Sequence, residues 1–358
     1  MTSRPIAVVV SGFPRRSETF ALNELLALEA RGAVAAIFAT KPGDGSNLQP
    51  GYERLLPLVK HLPQGTALEQ GIHAAASLRG QKVSAVHGYF AHTPAEVALH
   101  AAKQLRVPFG FSVHARDARK LTVSELTRRA QKASCVVACN MDVAATMQQA
   151  QANAHLIPHG VSLTRFRAVQ PSADGLLRIV AVGRLVEKKG FDYLIRAVAQ
   201  LKFPFTLKIV GDGRERERLE KLICGHGLNR QVTLLGARTH DDLPQQYAEA
   251  HVVVVPSILD RCGDRDGLPN VVLEAMACAR PVVATKVGAI QSAVVDGRTG
   301  LLVAQKDSAA IAAALTALNG NTSLQHALGR NARRRVERYY ELTRCTERFC
   351  QLLEHAYA

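Results

Sequence analysis

Residues 178–201 read RIVAVGRLVEKKGFDYLIRAVAQL. After Arg178, Ile179 to Val182 is a short run of β-branched and small apolar residues, the composition of a strand buried on both faces. Gly183 ends it, a charged turn runs to Gly190, and apolar residues then return every three or four positions, the period of a helix. Strand, turn and helix in this order build a parallel sheet covered on both faces.

The alternation runs along the whole chain. Upstream, IAVVVS (6–11) reads as a strand, and the helix after it has Ser17 as cap and Gly32 as stop. Strand-like AVAAIFAT (33–40), VSAVHGYF (83–90), PFGFSVH (108–114), CVVAC (135–139) and AHLIPHG (154–160) are separated by helical stretches near 66–79, 94–105, 122–132 and 141–150. RAVQPSADGLL (167–177) breaks the periodicity and reads as a linker. Beyond it, FTLKIVGDG (205–213), VTLLGAR (232–238), HVVVVPS (251–257), PVVAT (281–285) and GLLV (300–303) alternate with helical stretches near 190–201, 214–226, 241–249 and 269–279. Helical segments near 307–318 and 323–355 close the chain. Two consecutive α/β domains, each a doubly wound parallel sheet, are expected, as 358 residues allow.

Composition bounds the function. The apolar share of 47% is that of an ordinary soluble protein. No apolar run approaches the roughly 20 residues that cross a bilayer, and MTSRPIAVVVSGFP (1–14) lacks a secretory pattern. A cytoplasmic location is expected. Seven cysteines without a CxxC pair suit reduced thiols, and no Cys/His cluster has metal-ligand spacing. The net charge of +15 divides into +9 before residue 170 and +6 after it. Nucleic acid, an anionic membrane, a phosphorylated substrate or a merely solvated basic surface would each account for it. The absence of Trp and an aromatic content of 5% speak against nucleic acid.

Ligands of open parallel sheets sit beyond the carboxyl ends of strands. VGRLVEKKG (182–190) places Arg184 and Lys189 there, on a turn before a helix: a diphosphate site, or a solvated charged turn. In DGLPNVVLEAMA (266–277), Pro269 suits the first turn of a helix, so Gly267 and Leu268 would offer backbone amides at its start. Asp266 lies just outside. Glu274 lies within Val, Leu, Ala and Met, where a carboxylate is costly to bury without a partner. Two ligand hydroxyls would supply one; otherwise it is an ordinary surface acid.

In this order, VGRLVEKKG, GDG, DGLPNVVLEAMA, ARPVVATKVGA (279–289) and DGRTGLLV (296–303) resemble the retaining glycosyltransferases of family 4, which have the GT-B fold of two Rossmann-like domains facing across a cleft. SGFPRRSETF (11–20) resembles the opening motif of exopolysaccharide and colanic-acid-type members, and FSVHARD (111–117) and IPHGVSLTRF (157–166) stand in the expected places. The resemblance implies an acceptor-binding domain over 1–166, a donor-binding domain over 178–335, and a helical segment 336–358 crossing back to the first domain. It further implies that Arg184 and Lys189 neutralise a nucleotide diphosphate, that Glu274 holds the ribose hydroxyls, and that Asp266 contacts the donor sugar. Gly267 and Leu268 would support sugar or phosphate, Gly12 and Gly183 would let loops approach the nucleotide, and Arg238 and Thr239 would border the base. His114 would face the donor sugar near the reacting carbon, and Arg15, Arg16 and Glu18 would lie on the acceptor side. Three residues depart from the family pattern. Asp266 replaces the first of two glutamates, Ser162 stands where Asp is usual, and His159 where Asn is frequent.

The implied activity is metal-independent transfer of a hexosyl unit from a nucleotide-sugar, a UDP-hexose before GDP-mannose, without a cofactor. The acceptor would be a saccharide or a polyprenyl-diphosphate-linked saccharide at the inner face of the cytoplasmic membrane. The cationic stretch RKLTVSELTRRAQKA (119–133), with Leu121, Val123, Leu126 and Ala130 on one face, could meet an anionic surface. Three other readings compete. A nicotinamide oxidoreductase would need G-x-G-x-x-G after the first strand, and SGFPRRS has one glycine. A basic nucleic-acid-binding module would need stacking aromatics along its charged face. A sugar-nucleotide-binding or phosphorylase-like protein of the same fold would lack the transfer.

Overall fold

A computed structural model describes residues 4–15, 18–44, 50–170 and 175–358. Arg16, the expected cap Ser17 and residues 171–174 of the expected linker lie outside the described residues. The chain forms two units, one made of residues up to Gly160 together with Thr343–Ala358, the other of Val161–Leu342.

The first unit is built on seven parallel strands: β1 Ile6–Val10, β2 Val34–Ala39, β3 Val59–His61, β4 Val86–Gly88, β5 Phe109–Val113, β6 Cys135–Ala138 and β7 His155–Leu156. They lie in the order β3-β2-β1-β4-β5-β6-β7. The second has six: β8 Leu177–Val182, β9 Phe205–Val210, β10 Val232–Leu234, β11 Val252–Val255, β12 Val282–Thr285 and β13 Leu301–Val303, in the order β10-β9-β8-β11-β12-β13. Every residue of β1, β5, β6, β11 and β12 is buried, as expected of central parallel strands. In each sheet the winding reverses once, between β1 and β4 in the first and between β8 and β11 in the second. At such a point adjacent strand-end loops diverge and leave a crevice for a ligand.

The units are bounded differently from the division expected at 1–166, 167–177, 178–335 and 336–358. Val161 and Phe166 are buried in the second unit's core with Tyr247 and Val253, so the chain leaves the first unit before the Pro/Ser/Gly stretch. The single closing helix expected over 323–355 is two, Thr322–Tyr339 and Leu342–Ala356. Between them the Val161 amide donates to the Tyr340 carbonyl at 2.8 Å and the Leu342 amide to the Val161 carbonyl at 3.1 Å. This bridge takes backbone groups that a continuous helix would use. The returning segment therefore begins at Thr343 rather than 336.

The cationic stretch 119–133 is not one helix either. Ala115–Lys120 ends before Leu121, and Val123–Ala130 starts afresh on a capping box of Thr122 and Glu125. Leu126 is fully buried in the unit's own core, with Leu121 and Ala130 packed against it. Arg129 is buried and paired with Glu96. Three of the four residues expected to face a membrane are thus spent inside the unit, and one of the cations with them, while Val123 stays 46% exposed.

The last helix and the residue after it complete the first unit's core through Phe349, Cys350, Leu353 and Tyr357. The Tyr357 hydroxyl lies 2.8 Å from His87 Nδ1, and His87 Nε2 lies 2.9 Å from Ser112 Oγ. Gly110 makes room: a Cβ there would stand 2.0 Å from the Tyr357 oxygen and 2.6 Å from the Cys135 carbonyl. Gly110→Ala should therefore lower the denaturant midpoint more than Tyr357→Phe, which leaves a buried ring nitrogen unpaired at about 1–3 kcal/mol. Burial, with the charge of His114 adding, holds His87 down to about 3 from the ordinary 6.5. Between those values the unfolded chain binds a proton that the folded chain refuses, so this contribution to stability is present above 6.5 and falls away towards pH 3. Melting temperatures across that window should decline less steeply in His87→Gln than in the native chain.

Candidate functional site

In the second unit, the reversal between β8 and β11 brings together residues far apart in sequence. After β8, Glu187–Lys189 form a short 3-10 turn that Gly190 closes at φ 64°. A Cβ at Gly190 would stand 2.0 Å from the Pro256 carbonyl beyond β11, so only glycine permits this approach. The Lys188 carbonyl accepts from the Ile258 amide at 2.8 Å, fixing the turn to the loop after β11.

There Lys189 Nζ donates to Asp266 Oδ2 at 2.8 Å, and Ser257 Oγ donates to the same oxygen at 2.7 Å. Lys188, which sequence reasoning passed over, lies 3.6 Å from Asp266 Oδ1 and 2.9 Å from Asp264. Burial pushes the Asp266 carboxyl up, but Lys189, Lys188 and the Ser257 bond outweigh it and hold it below the usual range. Lys189 is therefore not the exposed cation its turn implied, with 14% of its side chain accessible. Arg184 is exposed, and among the described residues its guanidinium has no ion-pair or hydrogen-bond partner. Gly183 packs on Lys189: a Cβ there would meet its Cε at 3.2 Å.

The helix expected from Pro269 runs over Asn270–Ala277, with Pro269 at the cap position rather than inside. The Gly267 carbonyl accepts from the Ala289 amide at 3.0 Å. Gly288, at φ 54°, would place a Cβ 2.2 Å from the Asp266 carbonyl. The loop after β12 thus holds the carbonyls of the Asp266–Gly267 corner; Gly267 is buried and Leu268 half-buried. Glu274 is 5% exposed and has protein partners already: Tyr247 Oη donates to Oε2 at 2.8 Å, and His240 Nε2 lies 3.3 Å from Oε1. Thr239 is exposed, its amide and hydroxyl both donating to Asp242, and Arg238 is exposed beside it.

In the first unit, Ser11 and Gly12 follow β1, and Ser11 Oγ lies 3.3 Å from His92 Nε2 across the reversal beside β4. Gly12 abuts the Pro42 carbonyl, 2.7 Å from where a Cβ would stand. His114, at the end of β5, is buried at the start of Ala115–Lys120. Asp117 sits between two imidazoles, 3.4 Å from His114 Nδ1 and 3.4 Å from His92 Nε2. Burial lowers both histidines despite that carboxylate. Arg15 lies 3.9 Å from Glu18 and 3.7 Å from Asp44. Burial is the largest influence on Glu18 and drives its carboxyl up to about 7; Arg15 opposes this, and Asp117 and Asp44 reinforce it.

A group that the sequence did not single out lies beside His114. Glu24 is buried, 3.0 Å from His159 Nδ1, and accepts the Tyr89 hydroxyl. His159 stacks on Phe20 at 4.2 Å and on His114 at 5.2 Å. Burial disfavours its charge, yet Glu24 and Cys139 outweigh that and raise it to about 10. The departure IPHG therefore puts an imidazolium beside a neutral histidine. Only the opposite acid, the sixth residue of the largely apolar helix Thr19–Glu29, could have betrayed it in the sequence.

Two family models match. The one described as Glycosyltransferase Family 4 covers residues 17–165, and the one described as Glycosyl transferases group 1 covers 177–321. WcaL of Salmonella typhimurium, named for colanic acid biosynthesis glycosyl transfer, is 36% identical over 160 residues, 44% of this chain and 39% of that one. A GDP-mannose-dependent alpha-(1-6)-phosphatidylinositol monomannoside mannosyltransferase of Mycolicibacterium smegmatis is 35% identical over 187 residues, 48% of this chain and 49% of that one. The chain thus spans less than half the length of these curated relatives. Among solved structures, Anabaena Alr3699/HepE in complex with UDP superposes with a TM-score of 0.82 at 19% identity, covering 98% of this chain and 100% of that one. Sucrose-phosphate synthase of Thermosynechococcus elongatus gives 0.79 at 23%, covering 99% of each. Their fold is the one described above, two Rossmann-like units on parallel sheets. With a domain model on each unit and that architecture throughout, the chain belongs to the family 4, group 1 glycosyltransferases of GT-B fold.

Proposed function

We propose that the chain is a retaining, metal-independent hexosyltransferase. Its donor would be a nucleotide-sugar, a UDP-hexose first and GDP-mannose as the alternative. Its acceptor would be a saccharide or a polyprenyl-diphosphate-linked saccharide of surface or exopolysaccharide synthesis, met at the cytoplasmic face of the membrane. The basic excess of the first 170 residues would favour an anionic leaflet without an inserted helix, and no helix among the described residues is long and apolar enough to cross a membrane.

The observation that carries the reading is the charge arrangement at the β8/β11 reversal. Lys188 and Lys189 are balanced by Asp264 and Asp266, which leaves Arg184 as the uncompensated, exposed cation. A guanidinium there suits a diphosphate, which it can bind through two parallel N–H bonds. As the glycosidic bond breaks, charge grows on the departing diphosphate, and preorganised cations stabilise it more in the transition state than in the ground state. The leaving oxygen would take the acceptor proton. Asp266 Oδ2 already accepts two bonds, so its other oxygen would receive a sugar hydroxyl. Glu274 would accept the ribose diol.

Arg184→Ala should lower kcat/KM roughly a hundredfold, about 3 kcal/mol, with the melting temperature unchanged, since the side chain is free. Lys189→Ala should lower both, because it strips the partner from a nearly buried carboxylate. Native turnover in Arg184→Ala would refute the diphosphate assignment. Glu274→Gln should weaken UDP or GDP binding, whereas Asp266→Asn should keep nucleotide affinity and alter discrimination among donor sugars. Calorimetry with the bare nucleotide against the nucleotide-sugar separates the two. Nucleotide release that no saccharide acceptor accelerates, and that leaves no glycosylated product, would favour the non-transferring alternative.

A further inference from the structure

Glu274 is oriented from two sides by elements of its own unit. Tyr247, on Leu243–Glu249, holds Oε2 at 2.8 Å. His240 faces Oε1 through Nε2 at 3.3 Å, and its Nδ1 meets Arg165 NH1. A guanidinium carries N–H donors and no acceptor. Nδ1 must therefore accept, the ring proton must sit on Nε2, and that N–H donates to Glu274. Phe166 packs edge-on against both the His240 ring, at 5.4 Å and 76°, and the Tyr247 ring, at 5.8 Å and 67°. Arg165 is itself held: its guanidinium lies 3.4 Å from Asp241, and its backbone amide donates to Ser162 Oγ at 3.3 Å.

We propose that Arg165 and His240 are positioning residues that lock the Glu274 carboxylate for two vicinal hydroxyls of a nucleotide ribose. A carboxylate has about four lone-pair sites. Tyr247 and His240 occupy one on each oxygen, and the remaining pair, one per oxygen, is the complement of a diol. Without the relay Oε1 is free to rotate away, and the diol loses its preformed partner. The inference rests on the reading of Glu274 as the ribose contact. It adds that residues on two distant segments, LTRF and ARTHDD, set the strength of that contact.

The test uses the full chain, with UDP and GDP as calorimetric probes and donor KM and kcat measured beside them. In His240→Gln the amide nitrogen reaches the place of imidazole Nε2, whereas in His240→Asn the side chain ends near Nδ1. His240→Asn should weaken nucleotide binding about tenfold and raise donor KM alike, with kcat within twofold, while His240→Gln restores affinity to within about threefold. Arg165→Met should follow His240→Asn. The double variant His240→Asn/Glu274→Gln should bind no more weakly than Glu274→Gln alone, because the relay acts only through that carboxylate. Native affinity in His240→Asn, equal loss in the Gln and Asn variants, or additive loss in the double variant overturns the relay. Native affinity in Glu274→Gln, or a native chain that binds neither nucleotide, overturns the ribose reading itself.

Discussion

The second unit depends on keeping Asp266 ionised with a tenth of its side chain in contact with water. A lone carboxylate so placed would take up a proton, since desolvation disfavours the charge. Two ammonium groups and a serine hydroxyl prevent this. At an effective dielectric of about 20, a contact near 4 Å is worth about 4 kcal/mol of attraction, enough to reverse the burial effect in direction. The geometry around it follows. The lysines must stand on a tight turn, the turn must touch the loop after β11, and only a glycine at 190 lets the two backbones meet.

The first unit runs the same contest four times on one residue type, with different winners. His87 has only neutral partners, and burial leaves it uncharged. His92 and His114 share a single carboxylate, Asp117, and burial still prevails. His159 has Glu24 at 3.0 Å, and its charge survives. Within one stack of rings, His114 and His159 lie 5.2 Å apart in opposite protonation states. Such a pair sets a neutral ring and a positively charged one face to face.

The parallel sheets were legible because their central strands are continuous apolar runs and the helices between them keep their period. VGRLVEKKG and DGLPNVVLEAMA stood out as candidate segments because strand ends in open sheets are where glycines and charges have no packing reason to gather. Pairing was not. Nothing in the sequence ties Lys189 to Asp266, 77 positions on, or His159 to Glu24, 135 positions back, because those contacts are made by strand order. The boundary at Gly160 was hidden for a related reason. Val161, Leu163 and Phe166 resemble the end of one apolar segment, and only the folded second unit supplies the pocket that claims them. His240 follows the two residues singled out near the base, and its role became visible only through Arg165 on the other side of the ring.

Val161 and Leu342, the ends of the second unit, are hydrogen-bonded to each other. The unit is therefore a closed loop of chain spliced into the first, whose own sequence resumes only at Thr343. A ribosome delivers it whole while the first unit still lacks Phe349, Cys350, Leu353 and Tyr357 from its core. The inserted unit has everything it needs to fold first. The earlier-made sheet must wait, its face around His87 and Gly110 uncovered, for Phe349 and Tyr357 to emerge. A chaperone guarding this chain would be guarding its beginning on behalf of its end.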